Sequence, residues 1–288
     1  MITALSELLS PQRLTEVVDI GANPIDGDPP YKRMLAAGLC RVTGFEPQEQ
    51  ALVELQRRKG PHELYLPYAV GDGGTHTLNI CKAQGMTSLL DPDPRTLALF
   101  GILGPLGEVT SQISVETRKL DDIAEIEHLD LLKIDIQGGE LKVFQSGTAR
   151  LSQAVFIHTE VSFVTLYKDQ PTLGDVDLEM RRQGFIPHCL AAVKKWPIAP
   201  CVMNNDPYQA LNQLLEADVV YVRDFSRPEL ISDEQLKQMA LIAFHCYQSF
   251  DLAWRSVMLL EQRQVLKAGA QGRYVQILNQ LNVKMRRP

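Results

Sequence analysis

The sequence has few features that would place the protein in a membrane or on nucleic acid. It contains no apolar run of about 18 residues, the length at which a membrane-spanning helix is suspected. The first residues include Glu7 and no basic cluster, so we expect no signal peptide. Basic residues number 29 against 35 acidic ones, and an acidic balance is atypical of proteins that mainly bind nucleic acid or anionic membranes. We therefore expect neither partner.

Cysteine is scarce, and its spacing suggests no metal or disulfide framework. The five cysteines form no CxxC pair and no zinc-like spacing with histidine. An odd, scattered set is typical of reduced thiols in a cytoplasmic protein. We expect each to be a small buried apolar residue; they are Cys40, Cys81, Cys189, Cys201 and Cys246.

The hydrophobic pattern predicts an α/β fold. The chain has 288 residues, of which 45% are hydrophobic and 22% charged, as in ordinary globular proteins with a sizeable core. Short apolar runs alternate with helical patterns, which predicts a mostly parallel sheet covered on both faces. The predicted strands are 16–20, 41–46, 64–70, 129–136, 154–161, 185–192 and 217–225. The predicted helices before Pro228 are 31–37, 48–59, 139–146, 173–183 and 208–215.

The pattern beyond Pro228 is purely helical, with helices predicted at 232–250, 252–260 and 263–283. We therefore predict a catalytic domain over 1–226 and a helical C-terminal appendage over 227–288. The appendage carries nine basic and five acidic residues, in contrast to the acidic remainder. This asymmetry indicates either an interaction surface, including self-association into a homo-oligomer, or a solvated helical face.

Two acidic residues follow the first two predicted strands. Asp19 opens a turn through Gly21 to Asn23, and Glu46 ends the second strand. In an open parallel sheet ligands bind beyond the carboxyl ends of the strands, and a carboxylate after strand two can accept both hydroxyls of a ribose. The pair predicts a site for a nucleoside-containing cofactor. The structural alternative for Asp19 is a carboxylate that caps the following turn.

The turn favours S-adenosylmethionine over a dinucleotide. A dinucleotide site needs G-x-G-x-x-G, in which a pyrophosphate rests on a helix N-terminus. Here the second glycine is missing, and Asp26 stands where a phosphate would lie. S-adenosylmethionine has no phosphate and carries a positive sulfonium and amino group, which suit acidic surroundings. An NAD(P)-dependent oxidoreductase remains the alternative enzyme class.

An ordered series of motifs resembles the FkbM family of S-adenosylmethionine-dependent methyltransferases over about residues 14–190. The motifs are 17–23 (VVDIGAN), 44–47 (GFEP), 69–72 (AVGD), 87–89 (TSL), 120–122 (LDD) and 132–140 (LKIDIQGGE). The resemblance implies a class I methyltransferase (Rossmann-like) fold, a doubly wound sheet of seven strands, and O-methylation. It also implies that Asp19, Gly21 and Asn23 line the methionine end, that Glu46 holds the ribose, and that Asp72 approaches the adenine.

The sequence departs from the family pattern in two places. Pro24 and the segment 28–30 lengthen and stiffen the loop after the first turn, where many relatives run straight into a helix. Gln137 stands where relatives commonly carry a glutamate, so hydrogen bonding is kept and a charge is lost.

The segment Asp28-Pro29-Pro30-Tyr31 matches the motif with which amino-methyltransferases hold a flipped base. There the motif ends a strand, whereas here no strand is predicted before it. We interpret Pro29 and Pro30 as a helix start with Asp28 as its N-cap. The acidic chain also lacks a basic nucleic-acid footprint.

Methylation of a hydroxyl needs a group that removes its proton. His158 and Glu160 lie two apart on a predicted strand and so share a face, and Asp135 ends the neighbouring strand. We predict His158, Asp135 and Glu160 as catalytic residues, with Asp135 also near the cofactor. Glu140, in the first turn of the next helix, is a further candidate or a favourable charge at the helix N-terminus.

Three further points concern a metal ion, the acceptor and whether the chain catalyses a reaction. Asp135, His158 and Glu160 could instead hold Mg²⁺ or Mn²⁺, although the resemblance requires no metal. The acceptor is predicted to be a hydroxyl of a sugar, a glycan or a polyketide-like small molecule. A binding module that keeps the fold without turnover is the non-enzymatic alternative.

Overall fold

The computed structural model describes residues 3–23, 27–281 and 283, and the predictions on Pro24, Asp26 and the basic tail 284–288 lie outside them. The ten strands in these residues are β1 (Thr15–Ile20), β2 (Cys40–Phe45), β3 (Glu63–Leu66), β4 (Ala69–Val70), β5 (Thr75–Cys81), β6 (Val109–Arg118), β7 (Leu131–Ile134), β8 (Phe156–Ser162), β9 (Phe185–Lys195) and β10 (Leu214–Arg223). The helices are α1 (Ala4–Leu9), α2 (Lys32–Ala36), α3 (Glu49–Arg58), α4 (Pro94–Leu99), α5 (Leu103–Leu106), α6 (Glu140–Ser146), α7 (Thr148–Leu151), α8 (Leu173–Arg182), α9 (Asp233–His245), α10 (Phe250–Gln262) and α11 (Ala270–Gln280).

Seven strands form one sheet in the order β3-β2-β1-β7-β8-β10-β9. Neighbours from β3 to β8 run parallel, and β10 runs antiparallel to both β8 and β9. This is the strand order of the class I methyltransferase fold that the sequence predicts. The order reverses between β1 and β7, so the connections that follow these strands leave in opposite directions. A crevice forms at such a point, beyond the carboxyl ends of the strands.

The predicted strands and the observed ones differ mainly between residues 64 and 121. Pro67, which cannot donate a backbone hydrogen bond, stands where the single predicted strand divides into β3 and β4. No strand is predicted between residues 71 and 121, yet β5 and β6 pair antiparallel there and form a small sheet with β4. Most of β6 is exposed and polar, and therefore lacks the apolar pattern of a strand.

The predicted helix at 208–215 is wrong. Residues 206–209 form turns, and Leu214 already begins β10, where it pairs with Lys195 of β9. The tertiary pairing with β9 overrides a weak helical pattern.

The two faces of the sheet have separate cores. On one face β1, β7 and β8 present Val17, Leu131 and Phe156 to a layer formed by α1, α9, α10 and α11. On the other face the alternate residues Val18 and Leu132 pack with α6 and α8. The helices after residue 227 therefore complete the core of the sheet, while the domain boundary at 226/227 stays a prediction.

Two other sequence predictions can be compared with the structure. Cys40 and Cys81 are buried as expected, but the prediction is wrong for Cys189 and Cys201, which are exposed. Among the helices in the described part of the chain, none combines the length and apolar character needed to span a membrane.

The shared core predicts that the C-terminal helices and the sheet unfold together. Trp196 lies beside the sheet, donating to the Phe100 carbonyl oxygen, and Trp254 lies in α10. In Trp254→Phe and Trp196→Phe, each of which keeps one tryptophan, we expect the urea midpoint from fluorescence to equal the midpoint from far-UV circular dichroism. An independently folding C-terminal unit would instead give two separated midpoints.

Candidate active site

A cleft of about 630 Å³ opens at the crevice between β1 and β7. Nearly all predicted site residues line it; they are Asp19, Gly21, Asn23, Glu46, Asp135, His158 and Glu160. Acidic side chains outnumber basic ones among the residues that line the cleft. The sequence predictions therefore converge on one place, and its charge suits a cationic ligand.

The sheet register places three ionisable residues side by side on the cleft floor. Asp19 of β1 is paired in register with Lys133 of β7, which is paired with His158 of β8. Two residues earlier, each of these strands has an apolar side chain under the C-terminal helices. The same sheet face thus changes from apolar to charged where it emerges from the helical layer.

Asp19 is the most buried carboxylate of the cleft, with 2% exposure. Its Oδ2 accepts the Tyr31 hydroxyl at 2.5 Å, and its Oδ1 lies 3.4 Å from Nζ of Lys133. Burial raises the pKa of Asp19, and Lys133 and Tyr31 offset this only in part. Oδ1 has no hydrogen-bond partner in the described residues. A buried acceptor in this state suits a donor group on a ligand.

The contacts of Tyr31 give the segment 28–31 a structural role. Its ring is 3% exposed and packs in the core, and its hydroxyl is committed to Asp19. Tyr31 itself occupies the N-cap position of α2, so the prediction of Asp28 as N-cap is wrong. Asp28 instead pairs with Lys32 at 2.5 Å on the surface. Residues 28–31 line the cleft, but the Tyr31 hydroxyl is held by Asp19 and the ring packs in the core.

Lys133 is a site residue that the sequence predictions missed. Its Nζ lies 3.3 Å from the Gly21 carbonyl oxygen as well as 3.4 Å from Asp19. Burial lowers the pKa of Lys133, but the carboxylates of Asp19 and Asp135 outweigh it, so the net pKa is raised and the side chain stays charged. A lysine inside an otherwise apolar strand was the signal that could have identified it.

Gly21 is required by backbone geometry. Its φ is +77°, and a Cβ there would lie 2.1 Å from the Asp135 carbonyl oxygen. Only glycine allows the two backbone segments that follow β1 and β7 to come this close.

Glu46 follows β2 and is 3% exposed. Its Oε1 accepts the Gln48 amide at 2.8 Å. Burial raises the pKa of Glu46 more than the backbone amides of Gln48 and Asn23 lower it. The carboxylate is thus fixed in orientation beside the turn that contains Asn23.

Gln137 connects the predicted catalytic carboxylates. Its Nε2 donates to Asp135 Oδ1 and to Glu160 Oε2, both at 2.9 Å. The residue has a left-handed backbone with φ +58°, and its carbonyl oxygen accepts the Ser88 hydroxyl at 2.7 Å. An amide can donate to two carboxylates, which a glutamate at this position cannot do.

Glu160 belongs to a buried acidic group that one lysine balances. Its Oε1 accepts Lys194 Nζ at 2.9 Å, and the same Nζ lies 3.6 Å from Glu216. Burial, followed by the charges of Asp135 and Glu216, raises the pKa of Glu160 well above its usual range. One oxygen of Glu160 is thus held by Gln137 and the other by Lys194.

His158 is the imidazole of the cleft, and its side chain is 12% exposed. Its Nε2 lies 4.0 Å from Asp218 Oδ2, and its Nδ1 lies 3.3 Å from the Tyr247 hydroxyl. Burial raises the pKa of Asp218, but His158 and the nearby lysines outweigh this effect and the net pKa is lowered. An ionised carboxylate therefore stands near the imidazole. Asp218 and Tyr247 were not predicted from the sequence.

Asp72 lies apart from the other predicted cofactor residues. It is not among the described residues that line the cleft, whereas Ala69 and Val70 of β4 are. Its carboxylate accepts the Gly74 amide and contacts His76 Nε2 at 2.7 Å. The resemblance to the family thus locates the correct strand end but not a side chain in the cleft.

The divalent-metal alternative finds no support in the geometry. In the described ranges no three His, Cys, Asp or Glu residues are arranged to hold a metal ion. Glu160 is engaged by Lys194 and Gln137, so its oxygens already have donors.

The comparisons with known proteins fit this geometry. A family model described as the methyltransferase FkbM domain matches residues 19–187. This chain belongs to the FkbM methyltransferase family. It is an S-adenosylmethionine-dependent methyltransferase, as its motifs predict.

The individual proteins to which this chain is similar share less than 30% sequence identity with it. The chain is 29% identical over 176 residues to the 2-O-methyltransferase NoeI of Sinorhizobium fredii (strain NBRC 101917 / NGR234), covering 56% of this chain and 70% of that protein. The magnesium protoporphyrin IX methyltransferase ChlM of Synechocystis PCC 6803, solved with bound SAM, is 11% identical, with 77% and 76% coverage and a TM-score of 0.36. The precorrin-6y C5,15-methyltransferase of Geobacter metallireducens GS-15 is 14% identical, with 77% and 87% coverage and a TM-score of 0.35.

Glu140 holds the loop beside the site. It is 5% exposed, does not line the cleft, and its Oε1 accepts the Ile136 amide at 2.8 Å. Burial raises the pKa of Glu140 to about 7. Of its two predicted roles, the structure therefore favours the one at the start of the helix.

This pKa predicts a pH-dependent stability that Glu140→Gln removes. Because the folded pKa lies above the ordinary value, the contribution of Glu140 is complete below about pH 4.5 and is lost as the pH rises through about 7. Between about pH 5 and pH 8, the free energy of unfolding of the wild type should fall by roughly 2–3 kcal/mol relative to Glu140→Gln. Urea unfolding at several pH values measures this. Glu54→Gln on the exposed face of α3 is the control, and parallel curves for wild type and Glu140→Gln would contradict the prediction.

Proposed function

We propose that this methyltransferase is O-directed and methylates a hydroxyl group of a sugar or glycan acceptor. The observation that carries the proposal is the position of His158, whose imidazole lies in the same cleft as Asp19, Glu46 and Asp135. A partly exposed imidazole beside the cofactor residues is suited to remove the proton of an alcohol.

The chain offers matching groups for the methionine end and the ribose of the cofactor. Asp19 Oδ1, which has no hydrogen-bond partner among the described residues, would accept the methionine amino group. Lys133, charged and buried beside it, would pair with the methionine carboxylate. Glu46 would accept the ribose hydroxyls. When bound, S-adenosylmethionine supplies a methyl group made electrophilic by the sulfonium.

His158 would act as the general base. Its Nε2 would take the proton of the acceptor hydroxyl, which would make that oxygen nucleophilic toward the methyl group that the cofactor would supply as its sulfonium becomes a neutral thioether. The carboxylate of Asp218, 4.0 Å from Nε2, would stabilise the imidazolium that results. Asp135, fixed by Gln137, would orient the acceptor beside the sulfonium end of the cofactor. Glu160 would keep this arrangement rigid.

Two findings support the proposed acceptor, the first its methylation on oxygen and the second the presence of flanking hydroxyls, as in a sugar. The relative NoeI is a 2-O-methyltransferase. The cleft also presents several carboxylates and an amide near His158, and such groups can hydrogen-bond the hydroxyls that flank a reacting one.

Cofactor binding can be tested without an acceptor. Glu46→Gln should weaken S-adenosylhomocysteine binding about 10-fold or more, since a hydrogen bond to a charged group is lost. Isothermal titration calorimetry measures this, with Glu54→Gln as a matched surface control.

The same measurement on Asp72→Asn tests the residue outside the cleft. We expect its Kd for S-adenosylhomocysteine to equal that of the wild type. Stabilisation of the protein by NAD alone would contradict the proposal.

Turnover tests the acceptor and the base. We expect S-adenosylhomocysteine release with some members of a panel of pyranosides and nucleotide sugars, and its loss with the deoxy analogue that lacks the methylated hydroxyl.

His158→Gln should reduce kcat at least about 100-fold, the usual contribution of a general base, with unchanged S-adenosylhomocysteine affinity. His128→Gln, an exposed histidine, is the control. Release with amines or thiols alone would contradict O-methylation, and full turnover in His158→Gln would remove that residue from the mechanism.

A further inference from the structure

A tyrosine from the C-terminal helices stands behind His158. Tyr247 lies in the connector between α9 and α10, and it does not line the cleft. Its Oη is 3.3 Å from Nδ1 of His158. Its ring stacks on Phe156, with a centroid separation of 5.2 Å and an interplanar angle of 29°. The hydroxyl thus approaches the side of the imidazole that faces away from Asp218.

Contacts that do not involve His158 fix this connector. The Ser249 amide donates to the Ala243 carbonyl oxygen at 2.8 Å, and the Ser249 hydroxyl lies 2.6 Å from Nε2 of His188 on β9. His188 packs edge-on against Phe156, with ring centroids 5.9 Å apart. The position of the Tyr247 hydroxyl is therefore set by the packing of the C-terminal layer on the sheet.

The two ring nitrogens of His158 have different neighbours. The 4.0 Å between Nε2 and Asp218 exceeds hydrogen-bond distance, whereas the 3.3 Å between Nδ1 and Tyr247 permits a weak hydrogen bond. A neutral imidazole has one proton, and a hydroxyl oxygen can accept it. With the proton on Nδ1, the Tyr247 oxygen can accept it and the Nε2 lone pair is left for the cleft.

We infer that Tyr247 is a positioning residue for His158: its oxygen accepts the Nδ1–H and so keeps the Nε2 lone pair toward the cleft. This inference rests on the proposed role of His158 as the proton acceptor. It gives the C-terminal helices a part in the reaction, because they hold the tyrosine in place. Nδ1–H remains bonded to the tyrosine when Nε2 receives the proton, so the ring need not turn.

Nitrogen NMR of the histidine rings tests the inference without an acceptor. The full chain, labelled with ¹⁵N-histidine and saturated with S-adenosylhomocysteine, is studied at about pH 8, where histidine is neutral. His158→Gln identifies the His158 signals. We expect the Nδ1–H tautomer in the wild type and a shift toward Nε2–H, the form that the free histidine side chain prefers, in Tyr247→Phe. That variant keeps the ring that stacks on Phe156.

Tyr274→Phe is the matched control. Tyr274 is a buried tyrosine of the same helical layer, and its hydroxyl donates to the Phe250 carbonyl oxygen at 2.8 Å. Its variant should leave the His158 tautomer unchanged. An Nε2–H tautomer in the wild type overturns the inference without any variant, as does an unchanged tautomer in a folded Tyr247→Phe.

Turnover separates this inference from the proposed function. With a pyranoside from the panel, Tyr247→Phe should lower kcat about 10-fold, the cost of losing one hydrogen bond to a group that becomes charged, with unchanged KM for S-adenosylmethionine. On a His158→Gln background the same change should have no further effect. An equal loss on that background overturns the inference. Full activity of His158→Gln would instead overturn the proposed role of His158. The NMR experiment would still test separately whether Tyr247 sets the tautomer of His158.

Discussion

The ion pair between Asp19 and Lys133 on the cleft floor is the interaction on which the site depends. Two buried charges cost desolvation energy that their attraction and added hydrogen bonds must offset. Tyr31 and the Gly21 carbonyl oxygen supply such contacts. The pair still leaves one Asp19 oxygen without a hydrogen bond among the described residues. A zwitterionic ligand would complete this arrangement, since its amino group and carboxylate match the two charges.

The acidic group of Asp135 and Glu160 is stabilised in a different way. Asp135 and Glu160 would repel each other, and the pKa of Glu160 is raised in consequence. Gln137 reduces the cost by donating to both carboxylates, and Lys194 adds a positive charge from β9. A glutamate at position 137 would add a third negative charge there and could not donate to the two carboxylates. The departure from the family pattern is therefore tied to the geometry of the site.

The sequence predicted residues whose position follows from strand ends and missed those that tertiary packing supplies. Asp19 lies near the end of a parallel strand, Glu46 and Asp135 directly follow one, and in such a sheet those ends meet at one edge. Tyr31 and Tyr247 reach the site from helices and connectors, for which local pattern gives no direction. The polar β6 was missed because its pairing with β5, and not an apolar face, makes it a strand.

The basic excess of the C-terminal segment has a partly internal explanation. Arg263 donates to the carbonyl oxygens of Pro228 and Ile231, and Lys237 donates to that of Ser10 after α1. These contacts tie the last helices to each other and to the N-terminal helix, which lies in the same layer on the sheet. Cations are suited to this task because a carbonyl oxygen has two lone pairs and can accept a further donor. The charge asymmetry that suggested an interaction surface therefore also serves to fasten the layer that holds Tyr247 against His158.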